Sequence, residues 1–580
     1  MKKTLLTISA CILATIGFSQ AWNYPWATGI GSAEDDDDGV VIAIDSEDNV
    51  YMAAEYEGAL SIGGSDYPAP ADNGRDVLVV KYNSSGEVLW SGSIAGEGFS
   101  NGFLFGDMVS DIHVDQDDNV IVIGNIGTNG VVFGTPNGIA ENRNYIIKIS
   151  AEGQVLWEVY ADENYLGDEL TTVTSDPDGN IYVGGRTDET AGSFYALDGV
   201  ELPVEQSTDW MYLMAKISSE GTVEYIELLP TGVPTRIQLD TNGDFIISSQ
   251  NGDNEVGNYA LQKISASDFS IIWERETTED GQDTSQGGNM GFHVKSDNSI
   301  VQFLKTTSTI EYPDADAADC NLFCSMGVLV NIDAEGNTIS THTMESLVDN
   351  PQWVGLTGLN YFPVAFEAID DDTYYIAGRL QGNVEFSNGF LFQPSESYLG
   401  NTVTPSDAFV MMVDEDLNIL EYASQTGTAV QVSSDLAIFS NGDAALAGVH
   451  EIETFGGLTG NTVFGEDELS GFGGEDYFLT RVVTGTEAPL GVNEIDNQLS
   501  FSIFPNPSDQ FTNLVFENPD GTNALIDVID ITGKIVLSER IAGNGIIQHQ
   551  METSRLTPGL YTIRLTTETS VGTKTFVVNR

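Results

Sequence analysis

The chain has 580 residues and a formal net charge of −67, because 88 Asp and Glu residues outnumber 21 Lys and Arg residues. Hydrophobic residues make up 41% of the sequence, which is enough for a large core and too much for a disordered chain. The acidity argues against binding to nucleic acid and against docking on an anionic membrane, since both need clustered Lys and Arg. The 61 glycines are typical of a protein with many tight turns.

The N-terminus has the pattern of a signal peptide. Met1–Lys3 is positively charged, Leu5–Phe18 is almost wholly apolar, and Ser19–Ala21 offers small residues at the cleavage positions. We therefore expect residues 1–21 to be removed and the mature chain to start at Trp22. The sequence predicts an exported protein.

A lipoprotein box that ends at Cys11 is the alternative interpretation of this segment, but it would leave a long apolar stretch after the cysteine. No other stretch of the chain reaches the roughly 18 consecutive apolar residues of a membrane helix. We therefore predict no transmembrane segment.

Residues 33–485 alternate between two strand-pair patterns. The first pattern is an alternating apolar run, a turn rich in Asp, Asn and Gly, and a second apolar run, as in a β-hairpin. Its copies are Val41–Tyr51, Ile112–Ile123, Val173–Val183 and Ile237–Ile247, with weaker ones around turns at 297–299, 371–373 and 441–443.

The second pattern is another strand pair, which ends at Trp90, Trp157 and Trp273 in three copies. Its copies are Asp76–Trp90, Tyr145–Trp157, Leu213–Tyr225, Leu261–Trp273, Leu329–Asn337, Phe409–Leu420 and Tyr477–Val483. Each cycle therefore holds four strands, and four-stranded units in series are typical of a β-propeller. We predict an all-β fold with a seven-bladed β-propeller over residues 22–485, in which the recurring tryptophans pack between blades.

The seventh unit lacks a fourth strand, because residues 484–489 lead away from the repeat. The segment Trp22–Gly31 resembles Trp90–Gly96, the fourth strand of the first unit. We predict that residues 22–31 complete the last blade and close the ring, which leaves only short, protected edges.

The units resemble the bacterial β-propeller repeat family (SBBP-like repeats). Asp407–Val410 and Gly179–Gly184 carry the family pattern best. The resemblance implies the propeller fold and leaves the function open.

The C-terminal region changes character, and its alternating runs with Gly and Pro turns predict a small β-sandwich over residues 499–580. Its motifs resemble the type IX secretion sorting domain of Bacteroidetes, and the residues that carry them are Pro505, Asn506, Pro507, Gly533, Gly559, Tyr561 and Lys574. The resemblance implies a partner, the type IX machinery, and passage through the outer membrane. It also implies removal of the domain, with release or attachment to the cell surface. Residues 486–498 are the expected linker.

Once the signal peptide is removed, two cysteines remain, Cys320 and Cys324. In an oxidising compartment this spacing favours a disulfide that closes a small loop. A metal site would need further Cys or His residues nearby, and none is adjacent in the sequence.

Two acidic turns are candidate calcium loops, because oxygen ligands recur at alternate positions. The candidate ligands are Asp115, Asp117, Asn119, Asp176, Asp178 and Asn180. Neither loop has the Glu that completes an EF-hand, since Ile126 stands at position 12 from Asp115. The alternative is ordinary turn chemistry, in which these side chains bond to their own backbone. Calcium is the only cofactor that the sequence suggests.

No motif identifies a catalytic residue. We expect a secreted or cell-surface monomer that binds a polysaccharide or protein, or serves as a structural scaffold. The alternative is a polysaccharide hydrolase or lyase with its site at the propeller axis. Convergent polar residues around the axis would favour the enzyme, whereas exposed aromatic residues on one loop face would favour the binding protein.

Overall fold

The structure is a computed structural model. The described residues are 24–31, 39–70, 74–97, 107–138, 143–162, 168–187, 195–202, 211–230, 232–250, 258–280, 288–306, 309–311, 314, 325–347, 361–381, 384–386, 391–392, 406–424, 426–427, 430–451, 453–454, 458–459, 462–464, 467–469, 475–483, 501–504, 508, 510–518, 523–530, 535–542, 545–566 and 571–579. The chain divides into two compact domains, Met1–Thr486 and Glu487–Arg580. Cys320 and Cys324 lie outside the described residues, as do the predicted signal peptide and the predicted linker.

The described part of the first domain contains seven antiparallel sheets with a four-strand core, which we call blades 1 to 7. In blades 1 to 6 the strands follow each other in chain order. Blade 1 consists of Val40–Ile44, Val50–Tyr56, Asp76–Tyr82 and Val88–Glu97. Blade 2 consists of Met108–Val114, Val120–Ile126, Arg143–Ile149 and Val155–Tyr160, and blade 3 of Glu169–Ser175, Ile181–Thr187, Met211–Ile217 and Val223–Leu229. Blade 4 consists of Val233–Leu239, Phe245–Gln250, Asn258–Ile264 and Ile271–Asp280, and blade 5 of Gly288–Val294, Ile300–Thr306, Met326–Ile332 and Thr338–Leu347. Blade 6 consists of Tyr361–Ala368, Thr373–Gln381, Ser406–Asp414 and Ile419–Ser424.

Blade 7 takes its fourth strand from the N-terminus. Its first three strands are Val430–Ile438, Ala444–Glu451 and Glu475–Val482, and Ala27–Ile30 is hydrogen-bonded to the outer side of the third. Ile30 lies opposite Tyr477, just as Ile94 lies opposite Val77 in blade 1. The N-terminal strand therefore occupies the same register as the fourth strand of blade 1.

The blades form a ring. The first strand of each blade lies against the first strand of the next, and that of blade 7 lies against that of blade 1. Among the described residues, each of the seven boundaries between blades holds a hydrophobic cluster, which buries both faces of every sheet. The prediction of an all-β propeller is confirmed by this arrangement.

Four tryptophans interlock neighbouring blades. The indole Nε1 groups of Trp90 and Trp157 donate to Ala151 O at 2.9 Å and to Ser219 O at 3.0 Å, each in the turn between the third and fourth strands of the next blade. Trp273 makes the equivalent bond to Ala334 O, and Trp26 makes it to Ser84 O of blade 1. Each indole ring lies against a glycine of the turn that it contacts, and a side-chain Cβ on that glycine would come within 3 Å of the ring. The tryptophans therefore pack between blades, as the sequence predicted.

The two ends of the ring differ in their connections. Turns between first and second strands, such as Asp45–Asn49, and between third and fourth strands, such as Asn83–Glu87, are short and lie at one end. Connections between second and third strands lie at the other end, and the one that includes residues 382–405 in blade 6 is long. Several of these connections contain short strands, which are Leu60–Ile62, Ser65–Tyr67, Thr128–Val132, Thr135–Pro136, Ala196–Leu197, Val200–Glu201, Thr309–Glu311, Val384–Phe386, Leu391–Phe392, Glu453–Thr454, Leu458–Thr459, Thr462–Phe464 and Asp467–Leu469. Another short strand, Thr426–Gly427, follows blade 6.

The second domain has two antiparallel sheets around its own core. Its strands are Phe501–Phe504, Phe511–Asn518, Asn523–Asp530, Ile535–Ala542, Gly545–Glu552, Gly559–Thr566 and Val571–Val578. The first, second and fifth form one sheet, and the remaining four form the other. Phe516, Ile526 and Phe576 are buried in the cluster that these strands enclose. Among the described residues of the whole chain, no helix is long and apolar enough to cross a membrane.

Candidate functional site

The first strands line the axis of the ring, and six of them carry a register irregularity in the same place. The irregularities lie at Val109/Asp111, Leu170/Thr172, Pro234/Arg236, Asn289/Gly291, Pro363/Ala365 and Ser433/Asp435. A β-bulge inserts an extra residue and re-aims the side chains beside it. Three of the residues that follow the irregularity are charged, namely Asp111, Arg236 and Asp435, which makes this level of the inner wall the candidate site.

An ion pair crosses the axis at this level. Arg236 of blade 4 forms a bidentate pair with Glu367 of blade 6, with Nη1 to Oε1 at 2.7 Å and Nη2 to Oε2 at 2.9 Å. The two side chains are 28% and 29% exposed, so the pair is partly shielded from bulk water. The pKa of Arg236 is raised: burial opposes the shift, but Glu367, Asp111 and Asp435 outweigh it. The pKa of Arg236 in blade 4 depends on residues of blades 2, 6 and 7 because the side chains from all four blades face the centre of the ring.

Asp111 and Asp435 each join two blades by the same geometry. Asp111 accepts hydrogen bonds from its own neighbour Ile112 N and from Val173 N of blade 3, both at 2.8 Å. Asp435 accepts them from Leu436 N at 2.8 Å and from Ile42 N of blade 1 at 2.7 Å. These carboxylates satisfy backbone groups on the inner edge of the next blade, which would otherwise lose a partner on burial.

Burial raises the pKa of both carboxyls, to about 6 for Asp111 and about 7 for Asp435. The negative charges of Glu367 and Asp111 raise the pKa of Asp435 further, whereas its two backbone N–H donors lower it. At Asp111 the backbone N–H donors and the positive charge of Arg236 lower the pKa. At neutral pH the axis therefore holds a partly protonated carboxyl beside a fixed Arg–Glu pair.

This shift gives the propeller a pH-dependent stability. An aspartate with a pKa of about 3.9 in the unfolded chain binds more protons when folded, so its contribution to stability declines as pH rises from about 4 through 7. We expect Asp435→Asn to lack this decline, so that between pH 5 and pH 8 its free energy of unfolding rises by about 2 kcal/mol relative to that of the unmodified chain. Urea unfolding of both chains at the two pH values measures the difference; an equal change in the two chains contradicts the assignment.

A second buried carboxyl pair lies between blades 1 and 2. Asp107 and Asp76 are 2% and 6% exposed, and Gly127 N donates to Asp107 Oδ1. Burial and the neighbouring Asp76 raise the pKa of Asp107 well above its usual range, although Gly127 N opposes the shift. The pair is too enclosed to meet a polysaccharide. The sequence alone did not predict that these two carboxyls are buried.

Histidines at the inner wall have structural contacts. His113 Nε2 lies 2.9 Å from Ser175 Oγ of blade 3, and His293 Nε2 lies 3.3 Å from Asp371 Oδ1 of blade 6. Burial lowers the pKa of His113 to about 4, so its imidazole is neutral at physiological pH. Both histidines join adjacent blades.

The six candidate calcium ligands occupy two separate turns, each organised around one aspartate. Asp115 accepts hydrogen bonds from Asp117 N, Asn119 N and Asn119 Nδ2, and Lys148 Nζ lies 2.6 Å from its Oδ2. Asp176 accepts them from Asp178 N, Asn180 N and Asn180 Nδ2, and also from Tyr182 OH. In the described residues no group of three or more His, Cys, Asp and Glu side chains is arranged to hold a metal ion. Calcium binding stays a prediction.

Ion pairs like the one at Asp115 recur in other blades, between an aspartate of the turn and a basic residue of the third strand; in blade 7 the aspartate is the last residue of the turn. The pairs are Lys81–Asp45 at 2.9 Å, Lys148–Asp115, Lys263–Asp240 and Arg481–Asp443, the last three at 2.6 Å. Sequence reasoning missed these pairs. A basic residue at the sixth or seventh position of the third strand was the signal that could have found them.

The same turns also clamp neighbouring blades. Ser46 N and Oγ both donate to Asp118 of blade 2 at 2.8 Å, and Ser440 makes the same two bonds to Asp48 of blade 1. Thr241 repeats the arrangement on Asn298. The acidic turns therefore hold the ring together through direct hydrogen bonds.

These contacts predict little effect of calcium on stability, because the central aspartates already have cationic or N–H partners. We expect the melting temperature to be the same in excess calcium and in chelator. Differential scanning calorimetry measures it. A rise with calcium that Asp115→Asn and Asp176→Asn together abolish would instead establish the calcium loops.

Part of the predicted sorting motif is visible. Gly559 and Tyr561 lie in one strand of the second domain, and Lys574 lies exposed in the next. Tyr561 OH donates to Thr557 O at 2.8 Å, and its ring packs beside Phe576. Pro505, Asn506, Pro507 and Gly533 lie outside the described residues.

The fold, with its blades joined by hydrogen bonds and an ion pair at the axis, defines the class: a β-propeller protein with a C-terminal β-sandwich domain. Residues 502–579 match the family model described as the secretion system C-terminal sorting domain. The predicted type IX sorting domain is confirmed by this match. The domain indicates export by the type IX system, to the cell surface or into the medium, and implies interaction with the type IX machinery.

The remaining similarities are distant. A curated relative, the uncharacterized WD repeat-containing protein L264 of Acanthamoeba polyphaga mimivirus, is 25% identical over 206 residues, which cover 30% of this chain and 14% of the relative. Among solved structures, the Dos1 propeller has a TM-score of 0.38 at 9% identity and covers 79% of this chain and 95% of its own. The phage phi92 endosialidase has a TM-score of 0.30 at 10% identity, and the match covers 83% of this chain and 72% of the endosialidase chain. Membership of the SBBP-like repeat family stays a prediction.

Proposed function

We propose that the exported propeller is a non-catalytic scaffold that binds a polysaccharide or protein partner outside the cell. The observation that supports this proposal is the engagement of the axial polar groups. Asp111 and Asp435 each accept a backbone N–H from the next blade, and Arg236 is held by Glu367 across the axis. These groups stabilise the ring, as expected of a rigid support.

The partner is expected at the end of the ring that carries the long connections between second and third strands. The opposite end consists of short turns that hydrogen-bond to one another, such as Ser46 to Asp118. Loops on a rigid scaffold commonly carry binding residues, since their sequences vary without disturbing the core.

The test is retention on a panel of soluble and insoluble polysaccharides, with calcium or chelator, while released oligosaccharides are measured. We expect retention without products. If the chain is not retained and no products are released, the function shifts toward a protein partner or a structural role at the cell surface.

A hydrolase or lyase at the axis is the second candidate, and the pKa values of Asp111 and Asp435 favour it. A carboxyl with a pKa near 6 or 7 can act as a general acid at neutral pH. Product release that Asp111→Asn or Asp435→Asn abolishes, with retention unchanged, would establish the enzyme and overturn the scaffold proposal.

A further inference from the structure

A β-bulge recurs near the start of the fourth strand in blades 1 to 6. The pairing between third and fourth strands shifts at Lys81/Tyr82, Lys148/Ile149, Lys216/Ile217, Lys263/Ile264, Asn331/Ile332 and Met412/Val413. One residue of each fourth strand therefore has no partner opposite it, and these residues are Leu89, Leu156, Glu224, Ile272, Ile339 and Leu420. The fourth strand is the one farthest from the axis in each blade, so the bulges lie on the outer side of the ring, next to the short turns.

Five of the six bulge residues are aliphatic and exposed. Their side chains are between 41% and 63% exposed, and they make up five of the eight exposed large hydrophobic residues in the described part of the first domain. The fold does not require an apolar residue here, because blade 3 has Glu224 at the same position, with its carboxylate 2.9 Å from Lys216 Nζ. Exposed aliphatic side chains that recur at one level of a surface are typical of an interaction site.

In blades 4 and 5 an acidic side chain stands between two of these aliphatic residues. The indole of Trp273, the neighbour of Ile272, contacts the turn of blade 5 that contains Glu335. Glu335 is exposed, and Ile339 follows it four residues later. The turn that carries this carboxylate therefore separates the two isoleucines.

The alternation continues into blade 6. Asn331, which lies at the bulge of Ile339, donates its Nδ2 hydrogen to Glu415 O at 3.4 Å. Glu415 belongs to the turn that leads to Leu420, and its side chain is 55% exposed with Oε2 3.7 Å from Lys295 Nζ. Aliphatic and acidic residues therefore alternate over three consecutive blades. We call this set the rim arc: Ile272, Glu335, Ile339, Glu415 and Leu420.

No exposed cation compensates for the carboxylates of this surface. Among the described residues of the first domain, every Lys and Arg side chain is buried or half-buried. The whole chain carries a net charge of −67. Such a surface repels an anionic bilayer, an anionic polysaccharide and a second copy of the chain. A partner that covers the aliphatic side chains must therefore be positively charged.

We propose that the rim arc binds a basic segment of a partner protein, in which Lys or Arg residues alternate with apolar side chains. The basic residues pair with Glu335 and Glu415, which gives charge complementarity, and the apolar residues cover the three aliphatic side chains. Each contact is weak, but contacts on three blades in one segment reinforce each other. The rim arc lies at the end of the ring with the short turns, so this inference goes beyond the partner expected at the opposite end.

The test uses the full mature chain and two fluorescein-labelled synthetic peptides of equal length, in which Lys alternates with Leu in one and with Ser in the other. We expect the Lys–Leu peptide to bind about ten-fold or more tightly than the Lys–Ser peptide by fluorescence polarisation. The triple variant Ile272→Gln, Ile339→Gln and Leu420→Gln should lose this preference. Glu335→Gln with Glu415→Gln should weaken the binding of both peptides, because both carry the same positive charge.

The matched control is Leu228→Gln, which changes a 42% exposed aliphatic residue in the fourth strand of blade 3, outside the rim arc. It should leave the preference unchanged, and a loss equal to that of the triple variant overturns the proposal. Equal affinity of the unmodified chain for the two peptides also overturns it, as does a preference that survives in the triple variant.

The triple variant is expected to fold, because Glu224 shows that the bulge accepts a polar side chain. If it does not fold, Glu224→Leu decides. This change extends the aliphatic row from blade 4 into blade 3 and should increase the preference for the Lys–Leu peptide, and an unchanged preference overturns the proposal. The polysaccharide panel does not involve these peptides, so its failure is distinguishable from failure of this inference.

Discussion

Removal of residues 22–31 is expected to lower the melting temperature of the propeller by about 5 °C or more. The deletion exposes the outer edge of Glu475–Val482 and removes Trp26 and the buried Ile30 from the boundary with blade 1. Burial of two such side chains and the strand hydrogen bonds together contribute roughly 5 kcal/mol. In a domain of this size the unfolding entropy is about 1 kcal/mol/K, so each kcal/mol corresponds to about 1 °C. Calorimetry on the truncated and mature chains measures the change.

A point variant separates the tryptophan from the strand itself. Trp26→Ala removes the bond to Ser84 O and the contact with Gly86, and should cost about 3 kcal/mol or more. Leu89→Ala is the control, because Leu89 is 52% exposed and its loss should change little. A melting temperature unchanged by the deletion would show that the ring does not depend on its N-terminal strand.

Lys148→Met is expected to destabilise the propeller by about 3–5 kcal/mol, the usual cost of leaving a buried charge without its partner. Lys148 and Asp115 have side chains only 4% and 0% exposed, with Nζ 2.6 Å from Oδ2. Although burial opposes it, hydrogen bonds from Lys148 and Asn119 hold the pKa of Asp115 below its usual value. With the lysine gone, the carboxylate loses its cation. Urea unfolding at neutral pH measures the loss.

The same position in blade 3 provides the control. Lys216 is also the sixth residue of a third strand, but its partner Glu224 is 42% exposed. Lys216→Met should therefore cost less than about 1 kcal/mol. The double variant Lys148→Met with Asp115→Asn should recover much of the loss, since no charge is left buried. Equal effects of the two lysine variants would contradict the buried-pair explanation.

Much of the fold could be predicted because its signals are local. Strand pairs alternate with a period of two, and their turns carry Asp, Asn and Gly, so each blade can be recognised within a short stretch. The recurring tryptophans indicated the boundary between blades, and the resemblance of Trp22–Gly31 to Trp90–Gly96 indicated that the N-terminal segment is a fourth strand. The sorting domain was recognisable from motifs in a fixed order. The domain limits and the disulfide stay predictions.

The candidate site could not be predicted, because its residues are distant in the chain. Arg236 and Glu367 are 131 positions apart and meet only across the ring. Asp111 and Asp435 look like ordinary strand residues, and their pKa values depend on burial that closure of the ring creates. With 88 acidic residues in the chain, composition could not single out these two.

The sequence by itself determined the repeat, the strand order and the export domain, since turn chemistry and side-chain alternation act over neighbouring residues. Only the tertiary structure decided which carboxyls meet at the axis and which turn aspartates pair with lysine. The physical reason is that a closed ring places each strand against strands from other repeats, so the environment of a side chain depends on residues that no local pattern specifies.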